Sequence, residues 1–402
     1  MGEHMPDNGN AHNAHNAYVA QGTVAEGFEP VREAFEATLA QERVGHSAQL
    51  AAYVHGKRVV DLWGGPEIKG DSLTGVFSSS KGAAHLVVAL LVQDGTLDLD
   101  EEVRHYWPEF GSAGKEHVTL RDLLAHRAGL VGADGGFTPQ ELADDRLIAE
   151  RLAGQRPYWR PGTAFGYHAM VIGALTGEVV RRVTGRTLQE VYEERIRAPY
   201  GLDFYLGLPE EQEHRWLSTQ PMDPTPEQKR EMALGAAGPE SLRGIAFNAN
   251  NPKPSPLSRG IESFPNSREV RAGGQASAGG VASARGLARM YAAAISEVDG
   301  KAPLLTAEMA ARVAEVHSFG PDLALGGITH AFGLGFAATG VDYPFLGARS
   351  FGHSGAAGSQ AFADPSVGLA FGYNRRRFAY PGGAAPEAGV LAKAVRDCAA
   401  RV

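Results

Sequence analysis

A run of apolar residues beginning directly after a lysine constrains this fold more than any other feature. Gly82–Val92 reads Gly-Ala-Ala-His-Leu-Val-Val-Ala-Leu-Leu-Val, a helix apolar on nearly every face and ended by Asp94-Gly95. Such a helix belongs in the interior, so the rest of the chain must wrap around it. Phe77-Ser78-Ser79-Ser80-Lys81 leads straight into it. A serine and a lysine three positions apart share one helix face, with Cβ atoms roughly 5–6 Å apart. A serine hydroxyl is a weak nucleophile until a neighbouring base takes its proton. Burial and the positive end of the helix dipole both push a first-turn lysine towards the neutral amine that could do so. The same residues also fit a structural role, with Ser79 or Ser80 capping the helix and Lys81 reaching out to water. On this segment alone both readings stand.

The bulk properties narrow the field. With 43% hydrophobic and 21% charged residues, the chain has ample core for an ordinary globular protein. A net charge of −8 with no basic run argues against nucleic-acid partners. Cys398 is the only cysteine, so neither a disulfide framework nor a thiolate metal site is expected. No apolar stretch approaches the length of a membrane span, and the polar N-terminus lacks the pattern of a secretory signal, which points to a cytoplasmic protein with no membrane partner. Pro6–Ala17 repeats Ala-His-Asn and reads as disordered. His12 and His15 within it lack carboxylate or cysteine companions, so no metal and no cofactor are expected.

Strand signals stand at both ends. Gln49–Val54 and Arg58–Trp63 flank His55-Gly56-Lys57 as a hairpin, after a helix over Val31–Glu42. Near the C-terminus come strands over Phe332–Ala338 and Ser350–His353, a hairpin of Ser359–Ala363 and Gly368–Tyr373, and a helix from Pro386 to Arg401. Between them the pattern is helical, at Leu120–Ala125, Pro139–Ala153, Ala169–Thr184, Leu188–Arg195 and Ala284–Ile295. This predicts an α/β (α+β) fold: an antiparallel sheet flanked by helices, built from both termini. Residues 21–75 and 295–402 form the sheet domain, 76–294 a mostly helical inserted domain, and 1–20 a disordered lead. Pro209–Arg271 reads as a long loop, either a lid or a solvated insertion.

Two further segments could carry chemistry. Trp159-Arg160-Pro161-Gly162-Thr163-Ala164-Phe165-Gly166-Tyr167 delivers a tyrosine just ahead of a helix; by itself that tyrosine could simply cap the core. Phe351-Gly352-His353-Ser354-Gly355-Ala356 is a small-residue turn entering a hairpin, equally readable as a tight bend or as a backbone site that approaches a ligand closely.

Taken together, Ser78-x-x-Lys81, Tyr167-His168-Ala169 and His353-Ser354-Gly355, in that order, resemble the penicillin-recognising serine hydrolases, which usually carry Ser-x-x-Lys, Tyr-x-Asn and Lys-Thr-Gly. Leu123-Leu124-Ala125-His126-Arg127-Ala128-Gly129-Leu130, Trp159-x-Pro161-Gly162 and Gly280–Leu287 match as well, so the resemblance covers roughly residues 30 to 400. Within that superfamily the chain looks most like the family VIII carboxylesterases, esterases with a class C β-lactamase-like fold.

The resemblance implies Ser78 as the acylated residue, Lys81 as base and Tyr167 as proton shuttle to the leaving oxygen. It implies an oxyanion hole from the backbone N–H groups of Ser78 and Ala356. Substrate would be bound by His353, Ser354, Gly355, Tyr158, Trp159 and His168, and it would be a small-molecule ester. Ala169 departs from the asparagine of Tyr-x-Asn, and His353 from the lysine of Lys-Thr-Gly; both changes count against β-lactam hydrolysis and leave ester cleavage intact. A β-lactamase or D-alanyl-D-alanine peptidase-like amide hydrolase, an acyltransferase and a non-catalytic binding protein are the alternatives. No Gly-x-Ser-x-Gly motif supports an α/β-hydrolase, and the oligomeric state is open.

Overall fold

The computed structural model describes residues 19–42, 45–251 and 261–401. His12, His15 and most of the segment expected to be disordered therefore lie outside the described residues.

Strands from the two ends of the chain form a six-stranded antiparallel sheet. β1 (Gln21–Val24), β2 (Ala48–Val54) and β3 (Lys57–Gly64) come from the N-terminal end; β4 (Phe351–Ser354), β5 (Gln360–Asp364) and β6 (Leu369–Arg375) come from the C-terminal end. Their order is β1-β3-β2-β6-β5-β4. β6 pairs with β2 from Leu369↔Val54 to Arg375↔Ala48, so the two ends of the chain meet in the middle of the sheet. The β2–β3 turn has positive φ at both central residues, His55 (48°) and Gly56 (77°), the turn whose twist suits two right-twisted strands.

Five helices frame the sheet and the site: α1 (Glu29–Gln41), α2 (Ser80–Gln93), α3 (Ile172–Thr184), α4 (Ala284–Ile295) and α5 (Pro386–Ala399). All seven residues of β2 are buried because both sheet faces are covered. Leu50, Ala52 and Val54 share a core with Phe35 and Leu39 of α1 and Leu391 and Val395 of α5. Ala51 and Tyr53, pointing the other way, share a core with Leu287 and Tyr291 of α4. A Cβ at Gly372 on β6 would stand 2.6 Å from both Ala284 O and Ala288 N, so only glycine lets α4 lie directly on the strand. That second core runs without a break into the helical region around α2, whose residues Ser80–Leu91 are all buried. The expected boundary after residue 294 thus follows a helix that already packs on the sheet.

The differences from expectation have local causes. The helix expected over 139–153 is two, Pro139–Leu142 and Asp145–Ala153, because Asp144 is extended and caps the second through Arg146 N–H. The helix expected from Ala169 begins at Ile172. Side chains claim the carbonyls before it, Lys81 taking Ala169 O and Gln275 taking Met170 O. The helix expected over 188–195 widens after Tyr192 into a turn with longer-range hydrogen bonds over Glu193–Arg197.

The single strand expected over Phe332–Ala338 is a correction. Thr329–Phe332 pairs instead with Ser318–Pro321 in an outlying hairpin that the sequence did not announce. Past Phe332, Gly333 N–H bonds Phe336 O and Gly335 takes φ +83°, turning the chain inward.

The 209–271 segment contains short helices at Pro226–Leu234, Leu242–Ala246 and Arg268–Gly273, and its base is pinned. There Arg271 pairs with Glu213 at 2.8 Å and lies 4.8 Å above the Trp216 ring. Residues 252–260 lie outside the described residues. Among the described residues, no helix is long and apolar enough to cross a membrane.

Candidate active site

From Ser72 to Leu91 every residue is buried except Ser78, which is partly exposed. The turn that presents it is strained: Phe77 adopts φ +46°, a left-handed conformation that costs a bulky residue about 1–3 kcal/mol. Neighbouring serines bolt that turn in place. Ser79 Oγ donates to His353 O (3.2 Å) and lies 3.0 Å from Ser359 Oγ, while Ser359 Oγ donates to Val76 O at 3.1 Å. Ser80 Oγ donates to Phe77 O and accepts from Gly280 N–H at 2.9 Å. Neither serine caps the helix in the ordinary way, since the Ser79 side chain makes no capping bond.

Lys81 does not reach water. It is 0% exposed, and its Nζ lies 2.7 Å from Ala169 O, 2.8 Å from Ser277 O and 3.0 Å from Ser78 Oγ. Burial drives its pKa well below the ordinary lysine value of 10.5. A neutral amine has two N–H bonds and one lone pair. The two carbonyls accept both N–H bonds, which leaves the lone pair for the proton on Ser78 Oγ.

Tyr167 completes the group. Its ring centroid lies 4.8 Å from Lys81 Nζ. Burial raises its phenol pKa above the ordinary value, so the hydroxyl stays protonated, and its oxygen is buried without a hydrogen-bond partner. Aromatic rings hold it on several sides: Phe332 stacks at 5.8 Å with a 5° tilt, His126 lies at 5.3 Å and His353 at 5.8 Å. His126, in a left-handed conformation (φ 60°), accepts the His168 N–H at Nδ1 (3.1 Å), and its own carbonyl accepts Gly166 N–H. The Leu123–Leu130 stretch is thereby the socket for the Tyr167 loop.

His353 is 4% exposed, and burial holds its pKa well below the ordinary histidine value of 6.5, which keeps the ring neutral. Its Nδ1–H donates to Ser354 O at 2.8 Å, and Nε2 is buried without a partner. Gly355 sits where a Cβ would be 2.2 Å from Val76 O and 2.3 Å from Ser359 Oγ. Ala356 follows in a turn closed by Gly358 N–H to Gly355 O (2.9 Å) and packs with Ala357 and Phe378 against Phe77. The Ser78 turn and the Ala356 turn are therefore locked together.

The remaining expected residues lie in the walls of the Tyr167 loop. His168 is fully buried, with Nδ1–H donating to Gly166 O (2.7 Å) and Nε2 accepting Leu130 N–H (3.1 Å), so both ring nitrogens are engaged within the protein. Tyr158 donates its hydroxyl to Asp134 at 2.7 Å, and Trp159 its indole N–H to Ala164 O at 3.1 Å. Elsewhere Glu42, His46 and Glu387 group as possible metal ligands, but Arg375 Nη1 bonds both carboxylates there and fills the place of a cation.

Two contributors escaped the sequence reading. Ser277 lends its carbonyl to Lys81 and its hydroxyl to Gly173 N–H. Asp322 accepts the Tyr167 backbone N–H. Each acts over more than a hundred residues of separation, so no local spacing could announce it.

The family model described as Beta-lactamase matches residues 31–395. The chain belongs to the beta-lactamase family. Among members with solved structures, EstA from Arthrobacter nitroguajacolicus Rue61a is 48% identical, with a TM-score of 0.86 over 95% of this chain and 99% of that one. A family VIII carboxylesterase superposes with a TM-score of 0.81 at 31% identity, over 94% and 99% of the two chains. The Esterase/beta-lactamase LipL of Mycobacterium tuberculosis is 30% identical over 371 residues, 88% of this chain and 82% of the relative. The fold of this beta-lactamase family member is shared over nearly its whole length, and the Ser78, Lys81, Tyr167 and His353 group lies within the matched span.

Proposed function

We propose that this enzyme hydrolyses carboxylic esters of small molecules through an acyl-enzyme on Ser78. The observation that carries the reading is the surround of Lys81 Nζ: two carbonyls for its N–H bonds, Ser78 Oγ at 3.0 Å and no exposure to water. Lys81 takes the Ser78 proton and Oγ attacks the ester carbonyl. The backbone N–H groups of Ser78 and Ala356 receive the developing oxyanion, a contribution of about 3–4 kcal/mol each. Tyr167, kept protonated by burial, gives a proton to the departing alcohol, and water then cleaves the acyl-enzyme with the roles reversed. Ser354 and Gly355 line the edge along which the acyl group lies, and His353 offers a neutral Nε2 where penicillin-recognising relatives carry a lysine. His168, fully buried, shapes substrate access by holding the Tyr167 loop, and the partly exposed Tyr158 and Trp159 offer their rings to the substrate from beside it.

The ester reading is favoured over β-lactam hydrolysis by charge. A buried neutral His353 cannot supply the charged hydrogen bond to a β-lactam carboxylate, a loss of about 1.5–3 kcal/mol, or roughly 10- to 100-fold. Turnover of p-nitrophenyl butyrate and of nitrocefin by the same preparation tests this. The ester is expected to win in kcat/KM by at least roughly tenfold; equal or faster nitrocefin turnover overturns the reading.

The pH dependence follows from the two shifts. Lys81 must be neutral, and its lowered pKa places the acid limb of kcat/KM well below 10.5. Tyr167 must be protonated, and its raised pKa removes any alkaline limb below the ordinary tyrosine value of 10.0. A pH–rate profile is expected to rise once and then stay flat to about that pH; a bell with its alkaline fall near neutrality would contradict these roles.

A further inference from the structure

We propose that Asp322 is a positioning residue that holds Tyr167 in place to protonate the leaving alcohol; this rests on the ester-cleavage reading above. Asp322 stands at the end of the outlying hairpin, directly after Pro321, and is 0% exposed. Its Oδ1 and Oδ2 accept the Tyr167 backbone N–H at 3.0 and 3.2 Å, across 155 residues of sequence. Oδ1 also accepts the N–H groups of Ala324 (2.9 Å) and Leu325 (3.1 Å), and His330 Nδ1 lies 3.5 Å from Oδ2. A carboxylate taken wholly out of water is costly unless its oxygens are bonded. Here the bonds that satisfy it come from backbone, and one of them belongs to the residue that carries the phenol.

The hairpin grips Tyr167 at two points. Asp322 fixes its main chain, and Phe332 on the returning strand lies parallel to its ring. The hairpin is itself anchored to the Tyr167 socket, since Ser318 Oγ donates to Ala125 O at 2.7 Å and Leu323 N–H bonds Phe165 O. A tyrosine held this way keeps its ring, and with it the hydroxyl, in one position while the ester carbonyl becomes tetrahedral. Loosening the main-chain bond would let the ring swing and would misplace the proton donor, the kind of error that costs roughly a hundred-fold in rate.

Leaving-group dependence separates this role from general support of the fold. Butyryl esters of p-nitrophenol and of ethanol give the same acyl-enzyme, so kcat/KM compares acylation alone. p-Nitrophenolate departs without a proton, whereas ethoxide needs one. In the full-length Asp322→Ala enzyme, which has no side-chain oxygen to accept the Tyr167 N–H, kcat/KM for ethyl butyrate is expected to fall roughly a hundred-fold. The p-nitrophenyl ester is expected to lose less than about tenfold, with Ser78 still labelled by a fluorophosphonate. Tyr167→Phe, measured alongside, is expected to show the same selective loss at larger size.

Equal losses on both esters in D322A, or none, overturn the proposal if Tyr167→Phe remains selective. A Tyr167→Phe enzyme without selectivity instead overturns the proton-donor role on which this rests. Should D322A not fold, Asp322→Leu fills the carboxylate's volume without an acceptor oxygen and carries the same test; failure of both to fold makes Asp322 a folding residue and overturns its positioning role.

Discussion

Lys81→Met is expected to lower kcat for p-nitrophenyl butyrate by roughly a hundred- to ten-thousand-fold while leaving the protein folded. Methionine fills much of the lysine's volume and suits a site that is already dry. What disappears is the lone pair facing Ser78 Oγ at 3.0 Å. Tyr167 does not replace it, being held as the neutral phenol, and burial makes His353 a poor proton acceptor by lowering its pKa well below the ordinary histidine value. Burst amplitude and steady-state rate together would locate the defect. Loss in acylation is the expected result; a near-normal kcat would assign the base elsewhere.

Gly355→Val is expected to remove activity for a different reason, by at least roughly a hundred-fold. A Cβ there would lie 2.2 Å from Val76 O, the carbonyl that Ser359 Oγ bonds beside the Ser78 turn. The neighbouring backbone must shift, and it cannot do so without moving the strained Phe77 turn or the Ala356 turn, because both share that contact. The loss should extend to every ester tested whatever its leaving group, unlike the Asp322 variant, and thermal unfolding should shift downward. Wild-type rates on p-nitrophenyl butyrate would show that the two turns are independent after all.

Much of this architecture was legible in the chain. The hairpin around His55-Gly56 and the helix Ala284–Ile295 emerge within a residue or so of expectation, because period-2 and period-3.6 patterns there meet no competing interaction. The apolar run after Lys81 demanded burial and receives it at every position to Leu91. Expectation fails where tertiary contacts override local preference. Helix α3 starts late because Lys81 and Gln275 claim the carbonyls of its would-be first turn. The chain from Phe332 to Ala338 leaves its strand at two glycines, so that Gly335 O can meet His85 Nδ1 at 2.6 Å.

The same division runs through the site. Ser78 and Lys81 are near neighbours in sequence, and helical spacing alone joins them. Tyr167 and His353 needed the order of three motifs read together. Ser277 accepts a bond from Lys81 at its backbone carbonyl and Asp322 accepts the Tyr167 N–H at its carboxylate, and no residue pattern encodes such long-range bonds. The reading of Ser79 and Ser80 as caps gives way to something more specific. Both are buried bolts that tie the Ser78 turn to β4 and to Gly280.

One measurement bears most directly on the chemistry. Rapid acid quench of the enzyme with excess p-nitrophenyl butyrate, followed by intact and peptide mass spectrometry, should trap a single butyryl group. That group is expected on Ser78 in the wild type and on no residue in Ser78→Ala, which should also lose ester turnover. A butyryl group mapped to any other side chain, or undiminished turnover by Ser78→Ala, would contradict the mechanism.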